Sequence, residues 1–213
     1  MLLDRYRYVV VEGPIGAGKT SLARKLAERY ETELMLEDAG ANPFLPRFYQ
    51  DAARYALQTQ LFFLFQRAGQ VQELKQMELF GHATVSDFLL DKDRLFAQLN
   101  LSDEEYHLYQ QIYAHLKPQM PTPDLVIYLQ APVEALVERI KRRGIDYETP
   151  ISEEYLTRLG DIYSRYFYNY DASPLLIVNS EHLNFVDRPQ DFELLLERIG
   201  QMRCGREYFN RAG

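Results

Sequence analysis

The sequence predicts an α/β fold in which a five-stranded parallel sheet carries helices on both of its faces. Two observations support this prediction. Short apolar, β-branched segments alternate with longer amphipathic ones, an order that is typical of parallel sheets. A glycine-rich segment also joins the first of these strands to the helix that follows it. The predicted strands are residues 7–12, 33–37, 83–87, 124–130 and 174–178.

The glycine-rich segment predicts a binding site for the phosphates of a nucleoside triphosphate. It fits the pattern G-x-x-x-x-G-K-[ST] through Gly13, Gly18, Lys19 and Thr20. Glycines let successive backbone N–H groups point at phosphate oxygens, and the next helix adds its positive N-terminus. Lys19 would reach the β- and γ-phosphates, and the Thr20 hydroxyl would ligate Mg²⁺. The residues predicted to bind ATP or another triphosphate donor are Gly13, Pro14, Ile15, Gly16, Ala17, Gly18, Lys19, Thr20 and Ser21.

The composition predicts a single cytoplasmic domain. A chain of 213 residues is long enough for one sizeable core. Its net charge of −7 argues against broad nucleic-acid binding. Cys204 is the only cysteine, which excludes an internal disulfide and suits a reducing compartment. The sequence has neither a signal-peptide pattern nor an apolar run as long as a membrane span, so we expect no membrane contact.

Two predicted strands end on a carboxylate, at the edge of the sheet where ligands bind in such folds. Glu37 ends the second strand and is a candidate general base, although a solvated turn acid or a helix cap is an alternative. Asp38 follows it, but neighbouring residues of an extended chain point to opposite faces. Asp87 ends the third strand. The charged residues after it, 91–94, predict either an ion-pair network or a solvated helix face.

A long helical region at residues 43–79 is rich in aromatic side chains, and Gln58 and Gln60 interrupt its apolar pattern. A glutamine among aromatic rings can hydrogen-bond the edge of a nucleobase while the rings stack on its faces. By position alone, each glutamine could equally lie on the surface of an amphipathic helix.

A basic helix end predicts a lid over the phosphates. Residues 132–144 form an amphipathic pattern whose last turns carry Arg139, Lys141, Arg142 and Arg143. Basic residues also stabilise the C-terminal end of a helix dipole, which is the structural alternative. Arginines that close over a triphosphate would neutralise the charge that develops during phosphoryl transfer. We therefore expect a lid at about residues 139–150.

The order of these motifs resembles the deoxyribonucleoside kinase family over nearly the whole chain. That family includes deoxycytidine, deoxyguanosine and deoxyadenosine kinases and the insect multisubstrate enzyme, and this chain is similar to a bacterial branch. The resemblance implies a P-loop kinase fold formed by one domain, residues 1–213. The catalytic residues that it implies are Glu37, Lys19, Arg139 and Arg143. The substrate-binding residues that it implies are Glu37, Tyr49, Tyr55, Gln60, Asp87, Asp93 and Glu148.

The resemblance also implies a role for each of these side chains. Tyr49 and Glu148 would hold the 3′-hydroxyl of the sugar, and Tyr55 would flank the base. Gln60 and Asp93 would recognise the base, because the family spacing favours Gln60 over Gln58. Asp87 would help Thr20 to hold Mg²⁺, through water, and Glu37 would accept the proton of the 5′-hydroxyl. The implied reaction is ATP- and Mg²⁺-dependent phosphorylation of a deoxynucleoside, and we expect a homodimer.

Three positions depart from the animal members of the family. Phe88 and Leu89 stand where those enzymes carry arginine and serine, and Ile145 replaces a second lid arginine. Lys92 would then do part of the work of the missing arginine. The departures leave the preferred base open among deoxyadenosine, deoxyguanosine and deoxycytidine.

Two other functions fit the phosphate-binding motif less well. A nucleoside monophosphate kinase, such as a thymidylate kinase, needs basic residues for the phosphate of its acceptor. Residues 43–65 offer only Arg47 and Arg54. A regulatory nucleotide-binding module has no need of a strand-end glutamate that precedes an aromatic, glutamine-containing helix.

Overall fold

The computed structural model describes residues 5–79, 81–116, 121–185, 187–202 and 205–210, so Cys204 and Pro118 lie outside the described residues. The strands are β1 (Tyr8–Glu12), β2 (Glu33–Met35), β3 (Thr84–Ser86), β4 (Leu125–Gln130), β5 (Leu175–Asn179) and β6 (Arg206–Phe209). The α-helices of the described residues are α1 (Lys19–Tyr30), α2 (Leu45–Phe48), α3 (Ala52–Leu79), α4 (Lys92–Asn100), α5 (Asp103–Leu116), α6 (Val133–Arg143), α7 (Glu153–Tyr168) and α8 (Pro189–Gln201).

These strands form one parallel sheet in the order β2-β3-β1-β4-β5-β6. The predicted α/β class and parallel sheet are confirmed, but the prediction of five strands is wrong. β6 pairs with β5 through Leu175 and Arg206 and the residues that follow each of them. The sequence hides this strand because it is short and lies at an edge, where its exposed residues alternate with half-buried ones. Short polar edge strands carry a weak periodic signal.

Both faces of the sheet are buried, as the continuous apolar strands predict. Val9 and Val11 of β1 face a cluster with Leu22 of α1 and with α8. Val10 points to the other face and packs in a cluster with Phe167 of α7. In the sheet, β3 and then β2 lie on one side of β1, whereas β4, β5 and β6 lie on the other side. The strand order therefore reverses its direction at β1. Ligands of open parallel sheets bind at this kind of position, beyond the carboxyl ends of the strands.

The predicted helical region at 43–79 is divided into α2 and α3. Asp51 lies between them, and its Oδ1 accepts a hydrogen bond from Arg54 N at 3.3 Å at the start of α3. The predicted strand at 33–37 is shorter than expected, because β2 ends at Met35 and leaves Glu37 in the segment beyond it. Within the described residues, no helix combines the length and the apolar character that crossing a bilayer requires.

Candidate active site

The phosphate loop, residues 13–20, joins β1 to α1 at the carboxyl edge of the sheet. Gly13 has a φ of 156°, and a β-carbon there would lie 2.5 Å from the carbonyl oxygen of Leu129, so this turn requires glycine. Gly18 directly precedes α1 with a φ of 97°. The Nζ of Lys19 donates a hydrogen bond to Pro14 O at 3.0 Å. The loop therefore brings an ammonium group and the N-terminus of a helix to one place, as anion binding requires.

A cavity of about 690 Å³ opens beside the phosphate loop. Its walls are the loop, the basic end of α6 and the segment after β5. Arg139 spans it, since Nη2 donates to Ser180 O at 2.5 Å while Nη1 lies 3.5 Å from Ala17 O. Arg143 also lines this cavity. Its volume is in the range of small-molecule sites, and both predicted lid arginines are within it.

Asp87 meets Thr20 at the mouth of the phosphate loop. The Thr20 hydroxyl donates to Asp87 Oδ2 at 2.5 Å, and the backbone N–H of Glu37 donates to Asp87 Oδ1 at 2.8 Å. The arrangement places a hydroxyl and a carboxylate, both hard oxygen donors, beside the predicted phosphate site. Mg²⁺ is held by one or two such protein ligands together with water and substrate phosphates, so these residues fit the predicted metal.

Glu37 lies at the centre of a buried network of charges. Lys92 Nζ donates to Glu37 Oε2 at 2.6 Å, and Arg67 donates to Oε1. The same guanidinium donates to Asp93 Oδ1, while the hydroxyl of Tyr109 donates to Oδ2. Two carboxylates are thus balanced by two cations, which is the condition under which charges are tolerated in a protein interior.

The network controls the acidity of Glu37. Burial by itself would raise the pKa of this carboxyl group, but Lys92 and Arg67 outweigh burial and hold the pKa well below its usual value. The Glu37 side chain is only 14% exposed, so these interactions are weakly screened by solvent. Glu37 is therefore ionised throughout the physiological pH range.

We expect acid to destabilise the protein through this carboxylate. A group whose folded pKa is depressed stabilises the fold above its unfolded pKa of about 4.5 and loses that contribution as the pH falls below it. The expected loss is about 1.4 kcal/mol per pH unit below that value. Urea unfolding between pH 7 and pH 3.5 measures it, and Glu37→Gln should show a shallower dependence than Glu73→Gln, an exposed glutamate of α3. Equal slopes in the two variants would contradict the depressed pKa.

Gln60 and Arg67 of α3 carry buried polar atoms that have no hydrogen-bond partner among the described residues. Gln60 is 2% exposed, and its Oε1 has no hydrogen-bond partner among the described residues, whereas Gln58 is exposed. The Nε of Arg67, seven residues further along the same helix, is also buried without a partner. Native proteins rarely leave such groups unpaired, so they point to a ligand that completes them. The ring of Tyr55 lies 5.8 Å from the guanidinium of Arg47.

The segment after α6 lies against α2. Arg143 Nε donates to Glu148 Oε2 at 3.0 Å, and Nη2 donates to the same oxygen at 2.5 Å. The ring of Tyr147 stacks on that of Tyr49, with centroids 6.5 Å apart and planes within 6° of parallel. Burial raises the pKa of Tyr49 well above its usual value, so its phenol stays protonated and can donate a hydrogen bond. The predicted sugar-binding pair, Tyr49 and Glu148, therefore lies in one region with a predicted lid arginine.

Two residues of the site were missed in the sequence. Arg67 joins Glu37 to Asp93, and its only signal is a charge seven residues after Gln60, which places it on the same helix face. Glu12 is a buried carboxylate at the end of β1, an unusual residue in an apolar strand. Its two oxygens accept hydrogen bonds from Gly13 N at 2.8 Å and Leu89 N at 2.7 Å, which ties the phosphate loop to the segment after β3.

The fold and this site define a P-loop phosphotransferase, because a phosphate loop, the hydroxyl–carboxylate pair of Thr20 and Asp87, and the buried carboxylate of Glu37 meet at one edge of a parallel sheet. The family profile described as deoxynucleoside kinase matches residues 9–204. The chain therefore belongs to the deoxynucleoside kinase family, as its motifs predicted.

Individual relatives agree with this assignment. Deoxyguanosine kinase of Bacillus subtilis is 30% identical over 200 residues, which cover 92% of this chain and 97% of the relative. Deoxyadenosine kinase of Lactobacillus acidophilus is 31% identical over 207 residues, which cover 91% of this chain and 94% of that relative. A solved deoxyadenosine kinase from M. mycoides, with the products dCMP and a flexible dCDP bound, has a TM-score of 0.80 at 24% identity and covers 92% of this chain and 100% of its own. This likeness confirms the P-loop kinase fold.

Proposed function

We propose that this deoxynucleoside kinase transfers the γ-phosphate of ATP to the 5′-hydroxyl of deoxyadenosine, deoxyguanosine or deoxycytidine, for nucleotide salvage in the cytoplasm. The observation that carries the proposal is the contact between the residue that would face the acceptor and the residues that would bind the donor. The backbone N–H of Glu37, the residue that would face the acceptor hydroxyl, donates to Asp87 Oδ1, and Asp87 Oδ2 accepts from Thr20 of the phosphate loop. The residues that would serve the donor and the acceptor therefore adjoin each other.

On the donor side, the phosphate loop would hold the triphosphate through its N–H groups and Lys19. Thr20 and Asp87 would hold Mg²⁺, which, when bound, neutralises charge on the phosphates. The lid, at about residues 139–150, would add Arg139 and Arg143 over the cavity. These groups supply positive charge where negative charge develops, which is the main source of catalysis in phosphoryl transfer.

On the acceptor side, Glu37 would orient the 5′-hydroxyl and accept its proton. Tyr49 would donate a hydrogen bond to the oxygen of the sugar 3′-hydroxyl. The same hydroxyl would donate a hydrogen bond to Glu148. The aromatic walls around Tyr49 would leave no room for a 2′-hydroxyl, which selects deoxyribose. Since Arg143 is bound to Glu148, lid position and sugar binding are connected through one ion pair.

Base recognition would fall to Gln60, Arg67 and Asp93, with Tyr55 beside the base. Within the part of the chain that the structure describes, the Oε1 acceptor of Gln60 and the Nε–H donor of Arg67 have no partner. A base that pairs with both would satisfy groups that are otherwise buried without partners. Pairing of this kind is the most selective way to distinguish one base from another.

We expect Gln60→Leu to change the choice of base. Loss of a matched hydrogen bond in a buried site costs about 1–3 kcal/mol, so kcat/KM for a base that pairs with the Gln60 amide, adenine or cytosine, should fall by about 10- to 100-fold. The measurement is the ratio of kcat/KM values between deoxynucleosides. Gln58→Leu is the matched control, because Gln58 is exposed two residues away on the same helix. A ratio altered by Gln58→Leu and not by Gln60→Leu would contradict this assignment.

A kinase assay with ATP and Mg²⁺ tests the function. We expect turnover with at least one of the four deoxynucleosides and little with their ribonucleoside counterparts. The relatives in Bacillus subtilis and Lactobacillus acidophilus are named for two different purines, so both purines belong in the assay. Turnover with dTMP alone would favour a nucleoside monophosphate kinase, and ATP hydrolysis that no acceptor changes would favour a regulatory module. Arg47 and Arg54, which a monophosphate kinase would need, are both exposed beside Tyr55.

We further propose that one domain carries the whole site and that two copies form a homodimer. Phe65 of α3 and Leu108 of α5 are 56% and 45% exposed, large values for apolar side chains on two helices that pack together. Light scattering coupled to size-exclusion chromatography measures the mass. We expect a dimer that Phe65→Ser weakens, and a monomeric wild-type protein would contradict the proposal.

A further inference from the structure

Glu12 is a buried carboxylate that the proposed reaction does not use. It is 1% exposed and follows three valines at the end of β1. Its Oε1 accepts hydrogen bonds from Gly13 N at 2.8 Å and from the Tyr163 hydroxyl at 2.9 Å, and its Oε2 accepts one from Leu89 N at 2.7 Å. Burial of a carboxylate is tolerated when hydrogen bonds satisfy it. Here the three donors belong to the phosphate loop, to α7 and to the segment after β3, so one side chain joins three parts of the chain.

The phosphate loop is attached at both of its ends to one short segment, residues 87–89. The first residue of the loop, Gly13, is joined to the backbone N–H of Leu89 through the two oxygens of the buried carboxylate. The last residue, Thr20, donates its hydroxyl proton to Asp87 Oδ2 at 2.5 Å. Two hydrogen-bonded links, one from each end of the loop, therefore lead to positions only two residues apart.

Backbone pairing between the strands does not extend as far as this link. The ladder of β1 with β3 ends at the pair Val10 and Ser86. Glu12 lies two residues beyond that pair on one strand, and Leu89 lies three residues beyond it on the other. The carboxylate therefore continues the connection between the two chains past the end of the sheet, where the phosphate loop begins.

The 87–89 segment is itself fixed and also contacts the acceptor side. Phe88 and Leu89 are buried in the core cluster that contains Phe167 of α7. The Ser86 hydroxyl donates to Phe88 O at 3.0 Å and accepts a hydrogen bond from Phe88 N at 3.2 Å, which closes a tight turn. Asp87 Oδ1 accepts a hydrogen bond from Glu37 N at 2.8 Å. The position of the phosphate loop relative to Glu37 therefore depends on how the loop is attached to this segment.

We propose that Glu12 is a positioning residue for phosphoryl transfer, because it holds the start of the phosphate loop at a fixed distance from the 87–89 segment. This inference rests on the proposed function. A single attachment, at Thr20, would leave the loop free to turn about that point, whereas two attachments fix its orientation. The loop would thereby align the triphosphate with the acceptor hydroxyl at Glu37. Misplacement of reacting groups by about 1 Å can lower the rate by about 10²-fold.

Glu12→Gln breaks one of the two attachments without changing the shape of the side chain. An amide has one acceptor oxygen, and its nitrogen only donates. With the oxygen kept on Gly13 and Tyr163, the amide nitrogen faces the N–H of Leu89, so two donors oppose each other. We expect kcat to fall by about 10- to 100-fold. The Mg²⁺ concentration that gives half of the maximal rate should rise, because Asp87 and Thr20 lose their fixed spacing, while the KM for the deoxynucleoside changes little.

Tyr163→Phe is the control that separates positioning from stability. It removes one hydrogen bond from the same buried carboxylate but keeps both backbone links, so it should lower the melting temperature and leave kcat and the Mg²⁺ dependence as in wild type. Glu73→Gln, at an exposed glutamate of α3, controls for the change of charge. Two results would each overturn the proposal: wild-type kcat and Mg²⁺ dependence in a folded Glu12→Gln protein, or the same kinetic losses in Tyr163→Phe at an equal loss of melting temperature.

A measurement on the wild-type protein tests the link even if Glu12→Gln does not fold. Amide hydrogen exchange, followed by nuclear magnetic resonance, should show the N–H groups of Gly13 and Leu89 protected both without ligand and with ATP and Mg²⁺ bound. Rapid exchange of the Leu89 amide in the ATP-bound protein would overturn the proposal. If wild type phosphorylates deoxynucleosides and folded Glu12→Gln does so equally well, only this inference fails. A wild-type protein without deoxynucleoside turnover would remove the proposed function and this inference with it.

Discussion

Replacing Glu37 with glutamine is expected to lower kcat by about 10²- to 10⁴-fold, the usual cost of losing a general base. Glutamine keeps the shape of the side chain but cannot accept a proton. It also leaves Arg67 and Lys92 facing a neutral group, which removes the charge balance of the network. Steady-state kinetics with ATP and a deoxynucleoside measure the effect. The KM for the deoxynucleoside should change little, and ATP should still bind.

The control for Glu37 is the acid that follows it. Asp38 is exposed, and its Oδ1 accepts a hydrogen bond from Ala41 N at 3.1 Å, which caps the short turn after β2. Asp38→Asn preserves an acceptor for that turn, so we expect near-normal kinetics. Because Glu37→Gln disturbs a buried network, its melting temperature must be compared with that of wild type. If Asp38→Asn were the crippling change, the base would have been assigned to the wrong carboxylate.

Lys19→Ala is expected to lower kcat by about 10²-fold or more, because it removes a positioned charge from the phosphoryl group. The side chain of Lys19 donates a hydrogen bond to Pro14 O at 3.0 Å, which lies within the same loop, so its loss should leave the fold intact. Far-ultraviolet circular dichroism checks the fold, and titration with ATP measures the donor affinity. Lys75→Ala removes an exposed lysine and should leave kcat unchanged.

The lid arginine Arg143 provides a comparison for Lys19. Arg143→Ala should also lower kcat by about 10²-fold. Its ion pair with Glu148 predicts an additional rise in the KM for the deoxynucleoside, which Lys19→Ala should not show. Near-normal turnover in a folded Arg143→Ala protein would remove the lid from the mechanism. Equal KM values in the two variants would contradict the connection between the lid and the sugar.

The sequence by itself determined the phosphate loop between β1 and α1. Backbone geometry requires glycine in the phosphate loop, as the close approach of Gly13 to Leu129 shows. A local requirement of this kind appears in the sequence as a fixed spacing of glycines. The acids that follow β2 and β3, Glu37 and Asp87, were also expected to lie together, because parallel strands end at one edge, although β2 ends two residues before Glu37. Gln60 was preferred to Gln58 only through the family spacing, and the fold buries Gln60.

Only the tertiary structure decided how the charges around Glu37 are paired. Arg67 lies 30 residues from Glu37 and 26 from Asp93, and Lys92 lies 55 residues from Glu37. Hydrophobic periodicity shows which face of a segment is apolar, but it does not show which distant segment that face will contact. The same limit hid β6, whose pairing with β5 depends on the path of the chain after α8. Long-range ion pairs and edge strands are fixed when helices pack on the sheet, because burial then forces each charge to find a partner.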